Sequence, residues 1–151
     1  MHRLVASWFG TGLIVGRLRG SDTGSGTVGA AAAMPLWWLL SSHGWGYQLA
    51  AAATVAGLSL WSARPFSTDH ADPGWVVVDE AAGALVATIG LTGLPVVAAW
   101  LVFRVADIFK RAFPGVARAE SLPGSVGVTA DDVVAGVYGL AAGWAMTMLS
   151  R

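Results

Sequence analysis

The chain has no cysteine, and that absence removes disulfides, thiolate metal sites and every cysteine-nucleophile mechanism at once. Charge is scarce as well: 12% of the 151 residues are Asp, Glu, Lys or Arg, and the net charge is zero, so a nucleic-acid partner is not suggested. No Pro/Ser/Gly-rich linker separates two apolar halves, which predicts one domain over residues 1–151. The first dozen residues carry one Arg and a short apolar patch. They lack a long apolar core followed by a small-residue cleavage site, so no signal peptide is expected. What remains is hydrocarbon. With 55% hydrophobic residues and a mean hydropathy of +0.62, the chain has too little polar surface for an ordinary soluble domain and reads as an integral membrane protein.

From Gly10 to Gly29 there are seven glycines together with Arg17, Arg19 and Asp22, and glycine at that density predicts a loop. Ser25-Gly26-Thr27 closes this loop directly before an apolar run. Backbone amides at a helix N-terminus can cradle phosphate there; the plainer reading is a flexible loop on a membrane surface. Four or five apolar helices are expected next: Val28 to about Ser41, Trp45–Ala63, Trp75–Leu91, Val96 to about Arg111, and Asp132–Leu149. Trp45–Ala63 is the clearest, with 19 residues and no charge. Trp37, Trp38, Trp45 and Trp61 fall near segment ends, where indoles favour the membrane interface. A hinge at 64–74, with Pro65, His70 and Pro73, returns the chain to water.

If five segments cross from a cytoplasmic N-terminus, the connections 41–44 and 92–95 lie outside and carry no charge. Eight of the nine basic residues then face the cytoplasm, Arg151 being the exception. The same map draws Asp79, Glu80, Asp107, Asp131 and Asp132 to one membrane face.

Those acids carry the chemistry. An ionised side chain inside a membrane helix costs roughly 2.5–3.5 kcal/mol, so Asp79-Glu80, set in the apolar run 75–91, points to a partner such as a divalent cation. Alternatively the helix begins near Glu80 and both acids face its N-terminal dipole. Within the stretch Phe103–Gly136, the residues Arg104, Asp107, Lys110, Arg111, Asp131 and Asp132 alone carry six of the 18 formal charges. Arg104, Asp107 and Arg111 share one helix face, with Lys110 about a third of a turn away; this suits a phosphate beside a metal, or only an intrahelical ion pair. Asp131-Asp132 stands where an N-cap and first-turn acid are expected, and two adjacent acids exceed what a cap needs.

Gly10-Thr11-Gly12, Ser25-Gly26-Thr27-Val28-Gly29, Val78-Asp79-Glu80 with Gly83, Phe103-Arg104 with Asp107 and Lys110, and the run Gly127–Gly136 together resemble the phosphatidylglycerophosphatase A family, in order along nearly the whole chain. The resemblance implies a multihelical all-α membrane bundle in the bacterial inner membrane, with its active site facing the cytoplasm. It also implies magnesium-dependent removal of the terminal phosphate of phosphatidylglycerophosphate to give phosphatidylglycerol. Two departures stand out. Ser25 replaces the proline of the family's Pro-Gly-Thr, after a longer loop from Leu13 to Gly24; and the family's Lys-Pro-x-Pro is here Lys110-Arg111-Ala112-Phe113-Pro114, which leaves Lys110 or Arg111 as the functional cation.

Without cysteine, without an Asp-x-Asp motif, and with His2, His43 and His70 outside any Arg-rich context, water is the expected nucleophile. Magnesium takes oxygen ligands. Asp79, Asp131 and Asp132 are the expected ligands, Glu80 or Asp107 a further ligand or general base, and Arg104, Lys110 and Thr27 the groups that meet the phosphate. Two other classes stay open: a cation- or proton-translocating subunit, which predicts acids spread through membrane depth, and an inactive relative acting as an assembly partner.

Overall fold

The computed structural model describes residues 1–67 and 73–150; His70 of the expected hinge and Arg151 lie outside them. Among the described residues the chain is helical, with no strand. The elements are α1 (His2–Ala6), α2 (Thr11–Arg19), α3 (Ser25–Ala32), α4 (Met34–Leu40), α5 (Trp45–Ser62), α6 (Val78–Ala87), α7 (Leu94–Ile108), a 3-10 turn (Lys110–Ala112), α8 (Val116–Glu120) and α9 (Ser125–Leu149).

The bundle is built round α6, because Val-Asp-Glu-Ala-Ala-Gly-Ala-Leu-Val-Ala is small enough to be enclosed on every side, and eight of its ten residues are buried. It packs on α9, α5 and α3, and α9 packs in turn on α7. Glycine sets the α6–α9 spacing. A Cβ on Gly83 would lie 2.7 Å from the Asp132 carbonyl, and one on Gly136 would lie 2.6 Å from the Gly83 carbonyl. Backbones at that range bring the first turn of α6 beside the middle of α9. Buried polar groups tie α5 into the arrangement: Ser59 Oγ and Thr129 Oγ1 are 2.7 Å apart, and Gly90 N–H donates to Gln48 Oε1 at 2.5 Å.

Several expected boundaries move. The glycine-rich stretch is not one loop, since Thr11–Arg19 is helical and only residues 20–24 separate it from α3. Helical glycine is unfavourable by about 1 kcal/mol, but Gly12 and Gly16, one turn apart, allow contacts no other residue permits. A Cβ on Gly12 would collide with the Trp75 carbonyl, and one on Gly16 would come within 2.5 Å of Asp22 Oδ1. The run 28–41 is two helices, α3 and α4, with Pro35 in the first turn of α4. The most consequential shift is in α9, which starts at Ser125 after Gly124 with φ 59°, seven residues before the expected start. Asp131 and Asp132 are therefore interior helix residues and not caps. The acids of α6 do occupy its first turn, as the dipole reading allowed.

The expectation of four or five apolar spans narrows. Among the described residues one helix, Ser125–Leu149, is long and apolar enough to cross a membrane. With 10 and 15 residues, α6 and α7 measure about 15 and 22 Å, short of a hydrocarbon core of about 30 Å. The outer surface is nonetheless apolar. On α7, Leu94, Val97, Leu101, Val105 and Ile108 recur every three or four residues and are all exposed, while Val96, Ala99, Phe103 and Ala106 are buried. A helix apolar on both faces is unusual for water.

Candidate active site

One cavity of about 90 Å³ opens among α6, α7, α8 and α9, and six carboxylates reach it: Asp79, Glu80, Asp107, Glu120, Asp131 and Asp132. Each arrives for a local reason. Asp79 and Glu80 come from the first turn of the enclosed helix α6. Asp131 and Asp132 sit on α9 one turn before Gly136, where the close α6–α9 approach turns them inward. Asp107 is in the last turn of α7, three residues after Arg104, and the two join through Arg104 Nη1 and Asp107 Oδ2 at 2.7 Å.

Beyond Ile108 the helical path ends. Phe109 takes φ −104° and ψ 45°, and the tighter 3-10 turn carries Lys110 to the cavity while Arg111 points to solvent. Lys110 Nζ lies 2.5 Å from Asp131 Oδ2, 2.8 Å from Glu120 Oε1 and 4.0 Å from Asp107 Oδ1. The geometry thus brings Lys110, and not Arg111, to the cavity. Burial works against its charge, yet the hydrogen bonds to Asp131 and Glu120 outweigh burial and hold its pKa above the ordinary lysine value.

A second group lies beside the first. Asp79, Glu80 and Asp132 each offer a carboxylate oxygen within 4.8 Å of the others. Glu80 Oε2 and Asp132 Oδ1 are buried with no hydrogen-bond partner among the described residues. Leaving a buried carboxylate oxygen unmatched is costly, and an all-oxygen set of three acids suits a hard divalent cation. Burial pushes the Glu80 carboxyl up to about 7, with Asp107 adding to the rise and the Asp79 hydrogen bond and the Arg104 guanidinium opposing it.

The start of α3 closes on the same place. A Cβ on Gly26 would collide with Glu80 Oε1 and lie 3.1 Å from Arg104 Nη2, so only glycine lets the helix come this near. Ser25, where the resemblance expects proline, is the first residue of α3 and fully buried, whereas Thr27 is exposed beside Gly26. Proline is favoured at a first helical position for its fixed φ, and serine keeps the turn without it.

All the expected acids therefore meet. They meet differently from the expected ligand set, with Glu80 grouped with Asp79 and Asp132, and Asp131 paired with Lys110. Sequence reading missed Glu120 and also Ser67, which lines the same cavity. Glu120 is an isolated acid outside every motif and carries no local signal, whereas Gly26 belongs to the Ser25-Gly26-Thr27 motif that the sequence singled out.

This architecture has relatives. Residues 4–147 match the family described as phosphatidylglycerophosphatase A. The chain belongs to the phosphatidylglycerophosphatase A family. It is 31% identical over 144 residues to the phosphatidylglycerophosphatase A of Escherichia coli K12, covering 89% of this chain and 76% of that protein. It is 34% identical over 148 residues to a protein of Bacteroides thetaiotaomicron whose name proposes a phosphatidylinositol-3-phosphatase, covering 89% of this chain and 86% of that one. No solved structure matches. In a phosphatidylglycerophosphatase A family member the carboxylate cavity is the candidate active site of a phosphoric monoester hydrolase.

Proposed function

We propose that the protein hydrolyses the terminal phosphate monoester of phosphatidylglycerophosphate, in a magnesium-dependent reaction at a bacterial inner membrane, to give phosphatidylglycerol and phosphate. The observation that carries this reading is the meeting of Asp79, Glu80 and Asp132 within 4.8 Å, beside Arg104 and Lys110, in a chain of this family. Asp79, Glu80 and Asp132 would hold the magnesium ion, which when bound would offset phosphate charge and polarise its oxygens. Arg104 is buried with Nε lacking a hydrogen-bond partner, so it can donate to a phosphate oxygen without giving up Asp107. The first turn of α3, without a side-chain cap, comes against Glu80 and Arg104 at Gly26, with Thr27 next in the chain, and a helix N-terminus at that point favours an anion. Asp107, held by Arg104 through Oδ2 and lining the cavity, would accept a proton from the attacking water through Oδ1.

The cavity has room for several water-sized groups, enough for a phosphate and its ion, so the lipid's remaining headgroup stays at the mouth. Such a site reads phosphate first, and the second relative's name makes a phosphoinositide the alternative substrate. The exposed apolar stripe of α7, with Trp38, Trp45, Trp144 and Met148 also exposed, supports a bundle set in lipid through more than one helix. The uncharged connections at 41–44 and 92–93 support a cytoplasmic cavity. The deciding experiment measures phosphate release by purified protein from phosphatidylglycerophosphate and from phosphatidylinositol 3-phosphate, with magnesium and with chelator. Preference for the first lipid with magnesium supports the reading; preference for the second, or chelator-insensitive turnover, refutes it.

A further inference from the structure

The six carboxylates fall into two groups of three, and the groups differ in what stands between them. Asp107, Glu120 and Asp131 surround an ammonium, with Lys110 Nζ at 4.0, 2.8 and 2.5 Å. Asp79, Glu80 and Asp132 converge within 4.8 Å, and Glu80 Oε2 and Asp132 Oδ1, both buried, have no hydrogen-bond partner among the described residues. Asp131 and Asp132 are chain neighbours, so the two groups adjoin. Paired divalent ions bridged by acids are a common way to clamp a transferring phosphoryl group. Here one of the two positions already contains a positive charge.

We propose that this site takes a single divalent ion, at Asp79, Glu80 and Asp132, and that the Lys110 ammonium permanently occupies the place of a second ion among Asp107, Glu120 and Asp131. The inference rests on the proposed reading of the first group as a metal site. Three acids converging on one point would repel each other strongly without a cation. An ammonium supplies a compact point charge whose donors reach Asp131 and Glu120, while Asp107 at 4.0 Å is held by charge alone. It also cannot be lost to a chelator. The route by which Lys110 arrives agrees with that role, since the helix gives way at Phe109 and a 3-10 turn redirects the side chain inward. Glu120, from the separate helix α8, completes the ring from the solvent side, its side chain about half exposed. Lys110 is thus a positioning residue for Asp131 and Asp107, and Arg104 is left as the side-chain cation for the phosphate.

The test counts ions instead of turnover. Manganese is titrated into purified full-length protein in detergent, and free ion is followed by electron paramagnetic resonance. Wild-type protein is expected to bind one equivalent. Lys110→Ala is expected to bind two, with the line broadening of a close ion pair, and adding Glu120→Gln to that variant is expected to return the count to one. Two equivalents in the wild type overturn the inference and leave the metal reading standing. One equivalent in both wild type and Lys110→Ala also overturns it, because Lys110 then holds no ion's place. None in the wild type removes the metal reading and the inference with it. If Lys110→Ala does not fold, Lys110→Gln replaces it, and the wild-type count still discriminates.

Discussion

Substituting alanine for Gly136 probes the feature on which the site depends, the α6–α9 contact. Its added Cβ would sit 2.6 Å from the Gly83 carbonyl, about 0.8 Å inside the 3.4 Å at which ordinary contact begins, and 3.0 Å from Val86 Cβ. Both obstacles belong to α6 or its rigid β-branched side chain, so the helices must part by most of an ångström. Overpacking of this kind costs about 1–3 kcal/mol, against which alanine's better helix propensity returns about 1. The net loss of stability is therefore modest, roughly 0–2 kcal/mol. The functional loss is larger. Asp132 is one turn from Gly136 and Asp79 and Glu80 are on the helix pushed away, so the three oxygens now within 4.8 Å would spread. A displacement near 1 Å can lower turnover on the order of 100-fold. Thermal unfolding in detergent and phosphate-release kinetics measure the two effects separately. Gly57 on α5 is the control, since a methyl group added there would meet nothing within 4 Å, and Gly57→Ala is expected to stabilise by up to about 1 kcal/mol with unchanged turnover. A Gly136→Ala protein as active as wild type would refute the claim that this contact sets the site's geometry.

Asp132→Asn should fold, since the site loses a charge and keeps its shape, but weaken manganese binding by at least about 100-fold by titration; undiminished binding removes Asp132 from the metal set. Asp107→Asn should lower kcat about 100- to 10,000-fold while the metal stoichiometry stays the same, and near-normal kcat would take the proton-accepting role away from it. The Glu80 carboxyl, raised by burial from 4.5 to about 7, makes the metal-free fold lose stability as pH rises from the unfolded value through the folded one, because the fold disfavours the ionised form. The loss, up to about 3 kcal/mol, should appear as a falling Tm between pH 5 and 8 that magnesium reverses; a flat profile contradicts the burial argument.

Composition alone determined that this chain is rich in apolar helix and has no thiol chemistry, because those properties depend on residue counts and short-range periodicity. Order along the chain determined the family, since the Asp-Glu, Phe-Arg-x-x-Asp and Asp-Asp-x-x-Ala-Gly elements survive as local strings. Helix ends were less legible. The helical state of Thr11–Arg19 depends on Gly12, whose entropic cost is offset by its approach to the Trp75 backbone, remote in sequence, and α9 starts early at Ser125, where Gly127 packs on the Glu120 and Leu122 carbonyls. Tertiary structure alone decided how the acids divide. Six carboxylates from four helices carry no sequence mark telling which will converge on one another and which will surround a lysine. That choice depends on the break in α7 after Ile108, which sends Lys110 rather than Arg111 to Asp131, and on α8, which brings up Glu120 from a stretch with no motif. Both are consequences of packing direction, a property of the assembled bundle that no single segment contains.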